Sequence, residues 1–179
     1  LFGPFGTIGA LAHLLHQGLM KVTLFFCAGN YAEELGIHRL DEMDGAGKRM
    51  PLTSLAFTVG ALGMIGLPPT AGFITKWYLG MGAIEADMYW VVAVLVASST
   101  LNAIYFLPNV HRLWFREGPA HGKGQWPKEQ PLGRLETHGW LLWPAVLTAV
   151  ISIGAGLLAG LPFSPLDWAT RVAVGEYLP

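Results

Sequence analysis

The sequence predicts an all-α protein integral to a membrane, with four transmembrane crossings of which one is a broken helix. Apolar residues make up 53% of its 179 positions and charged residues only 13%, whereas a soluble domain has roughly 25% charged residues. Long apolar runs alternate with polar loops. One of these runs contains the stretch Gly66-Leu-Pro-Pro-Thr-Ala-Gly-Phe-Ile-Thr-Lys76. Two prolines end a helix, and a charge at the bilayer centre costs roughly 2.5–3.5 kcal/mol, so this stretch is expensive inside a membrane.

Composition excludes several classes of function. The formal net charge of −1 and the lack of a basic stripe argue against a nucleic-acid partner. The single cysteine, Cys27, lies in an apolar run, which excludes an internal disulfide and predicts a buried thiol. The sequence has no phosphate-binding loop, no paired-cysteine motif and no zinc-protease motif, so no catalytic residue, metal site or cofactor is predicted.

The N-terminus has none of the features of a signal peptide. The chain begins with leucine rather than methionine, and its opening Leu-Phe-Gly-Pro-Phe-Gly lacks both a basic region and a small-residue cleavage site. We therefore expect the chain to be a fragment or processed piece of a longer protein.

The apolar runs are assigned to spans by their length. Residues 8–30 are long enough to cross roughly 30 Å of hydrocarbon at 1.5 Å per residue. Trp140 and Trp143 are placed as interfacial anchors of the last span. The tail contains a candidate surface helix. Within a single membrane domain over 1–179, the other predicted elements are a broken helix at 52–86 with its break at 67–72, spans at 89–108 and 139–160, and the tail at 161–179.

Loop charges decide whether residues 52–86 cross the membrane once or twice. The loop at 31–50 has three Lys/Arg residues, the loop at 109–138 has five, and the connection at 86–88 has none. A single interrupted crossing puts both basic loops on one side, in agreement with the positive-inside rule. The prediction is therefore a prokaryotic plasma (inner) membrane protein with both basic loops in the cytoplasm and the C-terminus on the opposite side.

The first span carries a row of polar residues. His13, His16, Gln17 and Lys21 share an arc of about 140° that rises roughly 12 Å along the helix. One interpretation is that the histidines bond to each other or to a carbonyl while Lys21 extends to the surface. The other is an ion pathway, which a lysine with three polar companions at this depth favours. The two histidines cannot both ligate one haem, because they lie on one helix.

The broken helix also allows two interpretations, which are compatible. The ammonium of Lys76 can bind carbonyls that Pro68 and Pro69 leave free, or the lysine can load and release a proton at the break, as in transporters with broken helices. Gly72 is assigned to the break with the two prolines. Further candidates for the pathway are Ser99 and Asn102, in a polar patch of the next span, and Glu85, at the opposite interface.

Three strings in the sequence resemble a known family: HLLHQGLMKVTLFFCAGNYAEELG, MDGAGKRMPLTSLAFTVGALGMIGLPPTAGFITKWYLG and SSTLNAIYFLPNVHRLWF. They resemble the C-terminal part of the antiporter-like membrane subunits of complex I and of Mrp-type cation/proton antiporters, and the last string is most similar to the Mrp D-type branch. The resemblance implies a larger bundle built from two inverted repeats, to which this chain contributes the last four spans. It places Lys21 on a central polar axis and Lys76 in the second half-channel, and His13 and His16 match the family's histidines.

This resemblance implies a truncated, proton-conducting membrane subunit of a multisubunit cation/proton antiporter, which is not an enzyme by itself. Lys76 would exchange protons, and Lys21, His13, His16 and Gln17 would relay them. The implied partners are other membrane subunits, the lipid bilayer and H+, with Na+ as a further candidate. Three alternatives remain open: the equivalent subunit of an NADH–quinone oxidoreductase or membrane-bound hydrogenase complex, a haem- or quinone-binding membrane anchor, and a purely structural remnant.

Overall fold

The structure is a computed structural model that describes residues 3–118, 126 and 136–177. All regular secondary structure in these residues is helical. The elements are α1 (Pro4–Leu35), a 3₁₀ turn (Leu40–Met43), α2 (Ala46–Arg49), α3 (Pro51–Ile65), α4 (Ala71–Glu85), α5 (Tyr89–Phe115), α6 (Gly139–Leu157) and α7 (Pro165–Tyr177).

Three helices, α1, α5 and α6, are long and apolar enough to cross a membrane, among the residues described. Helices α3 and α4 have 15 residues each, or roughly 22 Å, which is short of the hydrocarbon thickness of about 30 Å. They follow each other across the break at 66–70, so together they form one interrupted crossing. The predicted all-α membrane fold with one broken helix is confirmed.

Two helices extend beyond the predicted spans. Helix α1 includes residues on both sides of 8–30, and α5 continues through Pro108 to Phe115, although the prediction ended this span at 108. Proline removes one helical hydrogen bond and its ring displaces the preceding turn. Pro108 is on an exposed face of α5, where the helix accommodates the ring without ending.

Helix α1 is the element against which the others pack. It contacts α3, α4, α6 and α7. Its C-terminal half contributes Cys27, Tyr31 and Leu35 to a buried cluster with α3. Its N-terminal half approaches α4 at glycines, since a Cβ on Gly9 would lie 2.7 Å from the Leu79 nitrogen. Small residues at such positions let helix backbones come close.

The tail helix α7 packs against the bundle. Its buried residues Leu166, Ala169 and Ala173 join Ile8 and Ala12 of α1 in a second apolar cluster. The prediction of a helix in the tail is therefore right, while its placement on the surface holds only for its outer face. That face includes the exposed Trp168.

The two predicted basic loops meet at one end of the bundle. Asp44, in the loop at 31–50, forms ion pairs with Arg112 at 3.7 Å and Arg116 at 3.3 Å, both beyond residue 108. Three further basic residues of the second loop, Lys123, Lys128 and Arg134, lie outside the described residues. The single-crossing interpretation of residues 52–86 requires such a common end.

A carboxylate from a distant part of the sequence caps α3 at this end. Glu136 accepts hydrogen bonds from the backbone nitrogens of Leu52 and Thr53, at 2.7 and 2.6 Å, and from the Thr53 hydroxyl at 2.6 Å. The first N–H groups of a helix have no partner within it, and a negative charge there interacts favourably with the helix dipole. Glu136 therefore fixes where α3 begins.

Replacing this cap should loosen the first turn of α3. We expect Glu136→Ala to lower the free energy of opening the first turn of α3 by about 0.5–2 kcal/mol. Because amide exchange follows this opening, the amides of Leu52 and Thr53 should exchange roughly 2- to 30-fold faster. Hydrogen exchange with mass spectrometry on the purified protein measures this. Glu33→Ala removes a carboxylate from the nearby end of α1 and serves as the control. Equal exchange in both variants would contradict a capping role.

Candidate ion-pathway site at the helix break

The break leaves two carbonyl groups without helical donors. Helix α3 ends where Gly66 takes a left-handed conformation with a φ of 88°, and the N–H groups of Gly66 and Leu67 both donate to the Leu62 carbonyl. The next two residues are prolines, which have no N–H. The carbonyls four residues before Pro68 and Pro69 therefore lack their usual partners.

Lys76 binds these two carbonyls. Its Nζ donates to the oxygens of Met64 at 3.0 Å and Ile65 at 2.9 Å, and to Ser99 Oγ of α5 at 2.9 Å. An ammonium group has three N–H donors, so these contacts use all of them. A cation at a helix C-terminus also interacts favourably with the helix dipole. The predicted contact between the ammonium and carbonyls freed by the prolines is therefore present.

Gly66 is required at this position for two reasons. Its φ lies in the left-handed region, which residues with a Cβ rarely adopt. A Cβ at Gly66 would also lie 2.8 Å from Cδ of Lys76, so it would push the lysine stem away from the carbonyls. Gly66 thus both ends α3 and makes room for Lys76.

Gly72 lies within α4, although the prediction placed it in the break. The helix already begins at Ala71, because Thr70 closes the break with bonds from its hydroxyl and its backbone nitrogen to the Leu67 carbonyl. A Cβ on Gly72 would overlap the Gly63 carbonyl oxygen. Its role is therefore to let α4 pack closely against α3.

His13 of α1 is bound to α4 just before Lys76. Its Nδ1 lies 2.9 Å from the hydroxyl oxygen of Thr75, and that hydroxyl is 3.2 Å from the Gly72 carbonyl. When Thr75 donates to this carbonyl, Nδ1 of His13 donates to Thr75 and Nε2 is left as an acceptor. The Gln17 side chain lies next to His13, one turn along α1.

A small polar cavity connects Lys76 with α1. Its volume is about 60 Å³, room for a few water molecules, since one water occupies roughly 10–15 Å³ on this measure. Its polar side chains come from three helices: His13, Gln17, Lys76, Ser98 and Asn102. The cavity brings His13 and Gln17 of the polar face of α1 together with the broken helix, in keeping with the relay that the family resemblance implies.

The structure separates the other predicted pathway residues from this cavity. His16 is 1% exposed, neither ring nitrogen has a hydrogen bond among the described residues, and the ring lies next to the Ala71 backbone. Lys21 is exposed on the surface of α1, and Glu85 is exposed at the end of α4. Of the secondary candidates, Ser99 binds Lys76 and Asn102 lines the cavity.

Sequence reasoning missed Thr75 and the identity of the two carbonyls, whereas Ser98 belongs to the polar patch that it identified in the next span. Counting four residues back from each proline would have identified Met64 and Ile65, because these are the acceptors that a continuous helix would have used. No sequence signal indicates that Thr75 pairs with His13. The described residues contain no group of three His, Cys, Asp or Glu side chains able to hold a metal ion.

Known proteins share this sequence pattern. Residues 2–102 match the family described as NADH:quinone oxidoreductase/Mrp antiporter, TM. The chain is 41% identical over 153 residues to the N subunit of the NADH-quinone oxidoreductase of Desulforudis audaxviator, covering 83% of this chain and 30% of that protein. It is 30% identical over 156 residues to the D subunit of the Na(+)/H(+) antiporter of Bacillus subtilis, covering 86% and 29%.

A solved structure has the same fold. The chain superposes on a chain of the Mrp complex from Dietzia sp. DQ12-45-1b with a TM-score of 0.79 and 26% sequence identity, covering 99% of this chain and 39% of that one. The chain spans only about 30% of the length of the two curated relatives named above.

The double role of Gly66 can be tested by adding one methyl group. We expect Gly66→Ala to lower the stability of the purified protein by about 1–2 kcal/mol from backbone strain, and by more where Lys76 loses its carbonyls. Thermal unfolding measures the loss. Gly80→Ala, with no atom within 4 Å of the added Cβ, is the matched control and should be tolerated. Equal melting temperatures for the two variants would show that Lys76 does not depend on Gly66.

Proposed function

The chain belongs to the NADH:quinone oxidoreductase/Mrp antiporter transmembrane family, and we propose that it is the part of an ion-translocating membrane subunit in which Lys76 loads and releases protons. The single observation that carries the proposal is the position of its ammonium. Lys76 lies at the break of a membrane helix and borders a polar cavity. Ionisable groups inside a membrane mark ion pathways and proton relays, and coupling residues of transporters lie at broken helices.

The contacts of Lys76 suit a group that changes its protonation state. As an ammonium it donates to the carbonyls of Met64 and Ile65 and to Ser99. As a neutral amine it has two N–H donors and one lone pair, so it can donate to both carbonyls and accept from the Ser99 hydroxyl. Rotation of that hydroxyl therefore keeps all three contacts in both states, and the break remains closed while the proton leaves.

The cavity gives the proton a path toward α1. Lys76 and His13 both line the cavity, so water held there would contact both, and the bond between Nδ1 and Thr75 would leave Nε2 of His13 to exchange a proton with that water. Gln17 lies beyond His13 on the same helix face. In this proposal the relay leaves the cavity at Gln17 for Lys21 on the outer surface of α1, and His16, which is buried outside the cavity, is a second relay group beside the break.

The proposal extends to the assembly and its orientation. The protein functions as one membrane subunit among others in the plasma (inner) membrane of a prokaryote, exchanging H+ for a cation such as Na+, without a cofactor of its own and without being an enzyme by itself. The end where Asp44 meets Arg112 faces the cytoplasm, in keeping with the basic loops there. The C-terminus of the last crossing lies on the opposite side.

Removing the ammonium should stop transport. We expect Lys76→Ala in the full-length protein within its native complex to reduce cation-coupled proton transport to background while the complex still assembles, because the lysine is the group that carries the proton at the break. Proteoliposomes with a pH-sensitive dye measure transport, and native electrophoresis measures assembly. Lys48→Ala, at an exposed position of α2, is the control. Normal transport by the Lys76 variant would refute the proposal.

A second candidate function is favoured by the higher sequence identity to an oxidoreductase component. The identity is 41% to the N subunit of the oxidoreductase, against 30% to its counterpart in the antiporter. The chain can therefore instead belong to a complex in which redox chemistry in other subunits drives the same proton path. Purification of the native complex distinguishes the two. Iron–sulfur absorbance and NADH-dependent quinone reduction are expected for the oxidoreductase, and cation/proton exchange without either is expected for the antiporter.

A further inference from the structure

We infer that the three oxygen atoms holding the Lys76 ammonium form a binding site for a monovalent alkali-metal cation, with the ammonium as its tethered occupant. The inference rests on the proposed function only for the use that the protein makes of the site. The site itself is defined by the geometry of the break.

The oxygen set has the chemistry of such a site. The carbonyl oxygens of Met64 and Ile65 and Oγ of Ser99 all lie 2.9–3.0 Å from one point, the Nζ atom. Backbone carbonyls and hydroxyls are the ligands that replace the hydration shell of alkali cations, and C-terminal ends of broken helices coordinate such ions in transporters. An ammonium ion has the charge of a potassium ion and a similar size, so the atoms that hold one can hold the other.

The site is built for a single positive charge. None of its three oxygens carries a formal charge, and binding of Ca²⁺ or Mg²⁺ in proteins normally involves carboxylates. The negative end of the α3 dipole adds a partial charge of about one half. The two carbonyls are also unable to find a helical donor, because the nitrogens of Pro68 and Pro69 have no hydrogen. Without the Lys76 side chain or a cation in its place, these oxygens would be left unpaired.

The ammonium group of Lys76 can move into a neighbouring polar cavity when another cation binds. The cavity of about 60 Å³ borders Lys76 directly and is lined by His13, Gln17, Ser98 and Asn102, which offer hydrogen-bond acceptors to a displaced lysine head. A wider groove of about 580 Å³ touches the other side of Lys76, but its walls are mainly apolar and do not suit a hydrated ion. Of the three residues that supply oxygens, Met64 lines the polar cavity and Ser99 lines the groove, so a cation and its water would approach the site from the polar cavity beside Met64.

Variants of Lys76 test whether the three oxygens bind a free cation when the lysine ammonium is removed. In the purified native complex, we expect Lys76→Ala to free the oxygens and create a saturable site for Rb+, which substitutes for K+, with at least roughly tenfold higher affinity than in the unchanged protein. Lys76→Arg keeps a permanent cation at the break and should bind no additional Rb+. Equilibrium binding of a radioactive Rb+ tracer, with Na+ as the competitor, measures both. Lys76→Met gives the same comparison should the alanine variant not assemble.

A second substitution tests whether Ser99 is a ligand. Added to Lys76→Ala, the change Ser99→Ala should weaken Rb+ binding about tenfold because one of three ligands is lost. Thr100→Ala is the matched control, since the Thr100 hydroxyl bonds to the Val96 carbonyl of its own helix, and it should leave binding unchanged. Equal Rb+ binding by the alanine and arginine variants of Lys76, or equal effects of the two hydroxyl deletions, would overturn the inference.

The two proposals fail in different ways. Proton transport by Lys76→Ala would refute the proposed function whatever its Rb+ binding. Loss of transport in a variant that gains no Rb+ site would refute the cation site alone.

Discussion

The hydrogen bonds from Lys76 to the Met64 and Ile65 carbonyls are the interaction on which the break depends. A carbonyl without a partner inside a bilayer costs several kcal/mol, and so does a charged side chain. Here each of these unfavourable groups is the partner of the other. Consecutive prolines, a left-handed glycine and a lysine are all needed for this arrangement, which explains why they occur so close together in an apolar sequence.

The surrounding helices hold the interaction in place from several directions. Helix α1 runs past the break along nearly the whole bundle, as its 32 residues correspond to roughly 48 Å. Helix α5 contributes Ser99 from the other side. A Cβ on Gly156 would overlap the Pro69 carbonyl oxygen, so the end of α6 packs directly on the break. A local rearrangement at the prolines therefore disturbs three neighbouring helices, and the change most easily made is in the lysine head and the Ser99 hydroxyl.

Much of the fold follows from patterns within single segments. Apolar length identified the spans, proline chemistry identified the break, and loop charges predicted that residues 31–50 and the loop after α5 share one end, where Asp44 pairs with Arg112. The angle between His13 and Gln17 predicted that they share a helix face. Helical periodicity does not give the orientation of α1 about its axis relative to α4. It therefore could not predict which residues this face contacts. The same arc therefore includes His16, which is buried at the break, and Lys21, which is exposed.

The contacts that sequence reasoning missed link residues far apart in the chain. Thr75 is 62 residues from His13, and nothing within either segment indicates the pairing. Pro108 illustrates the opposite limit, since a proline is expected to bend or end a helix, yet α5 continues through it to Phe115. The rule describes the cost of a proline, whereas the outcome also depends on whether the helix can bend toward an open side.

The cap on α3 has a consequence for the order in which the protein matures. Leu52 and its cap Glu136 are separated by 84 residues, so the ribosome completes α3 long before it adds the residue that secures its first turn. At synthesis rates of about 5–20 residues per second, the interval is roughly 4–17 s. During that time α3 must be held in the membrane by α1 and by Lys76 at its other end. The helix is thus fastened first at the break, and its opposite end is secured only when the last long helix arrives.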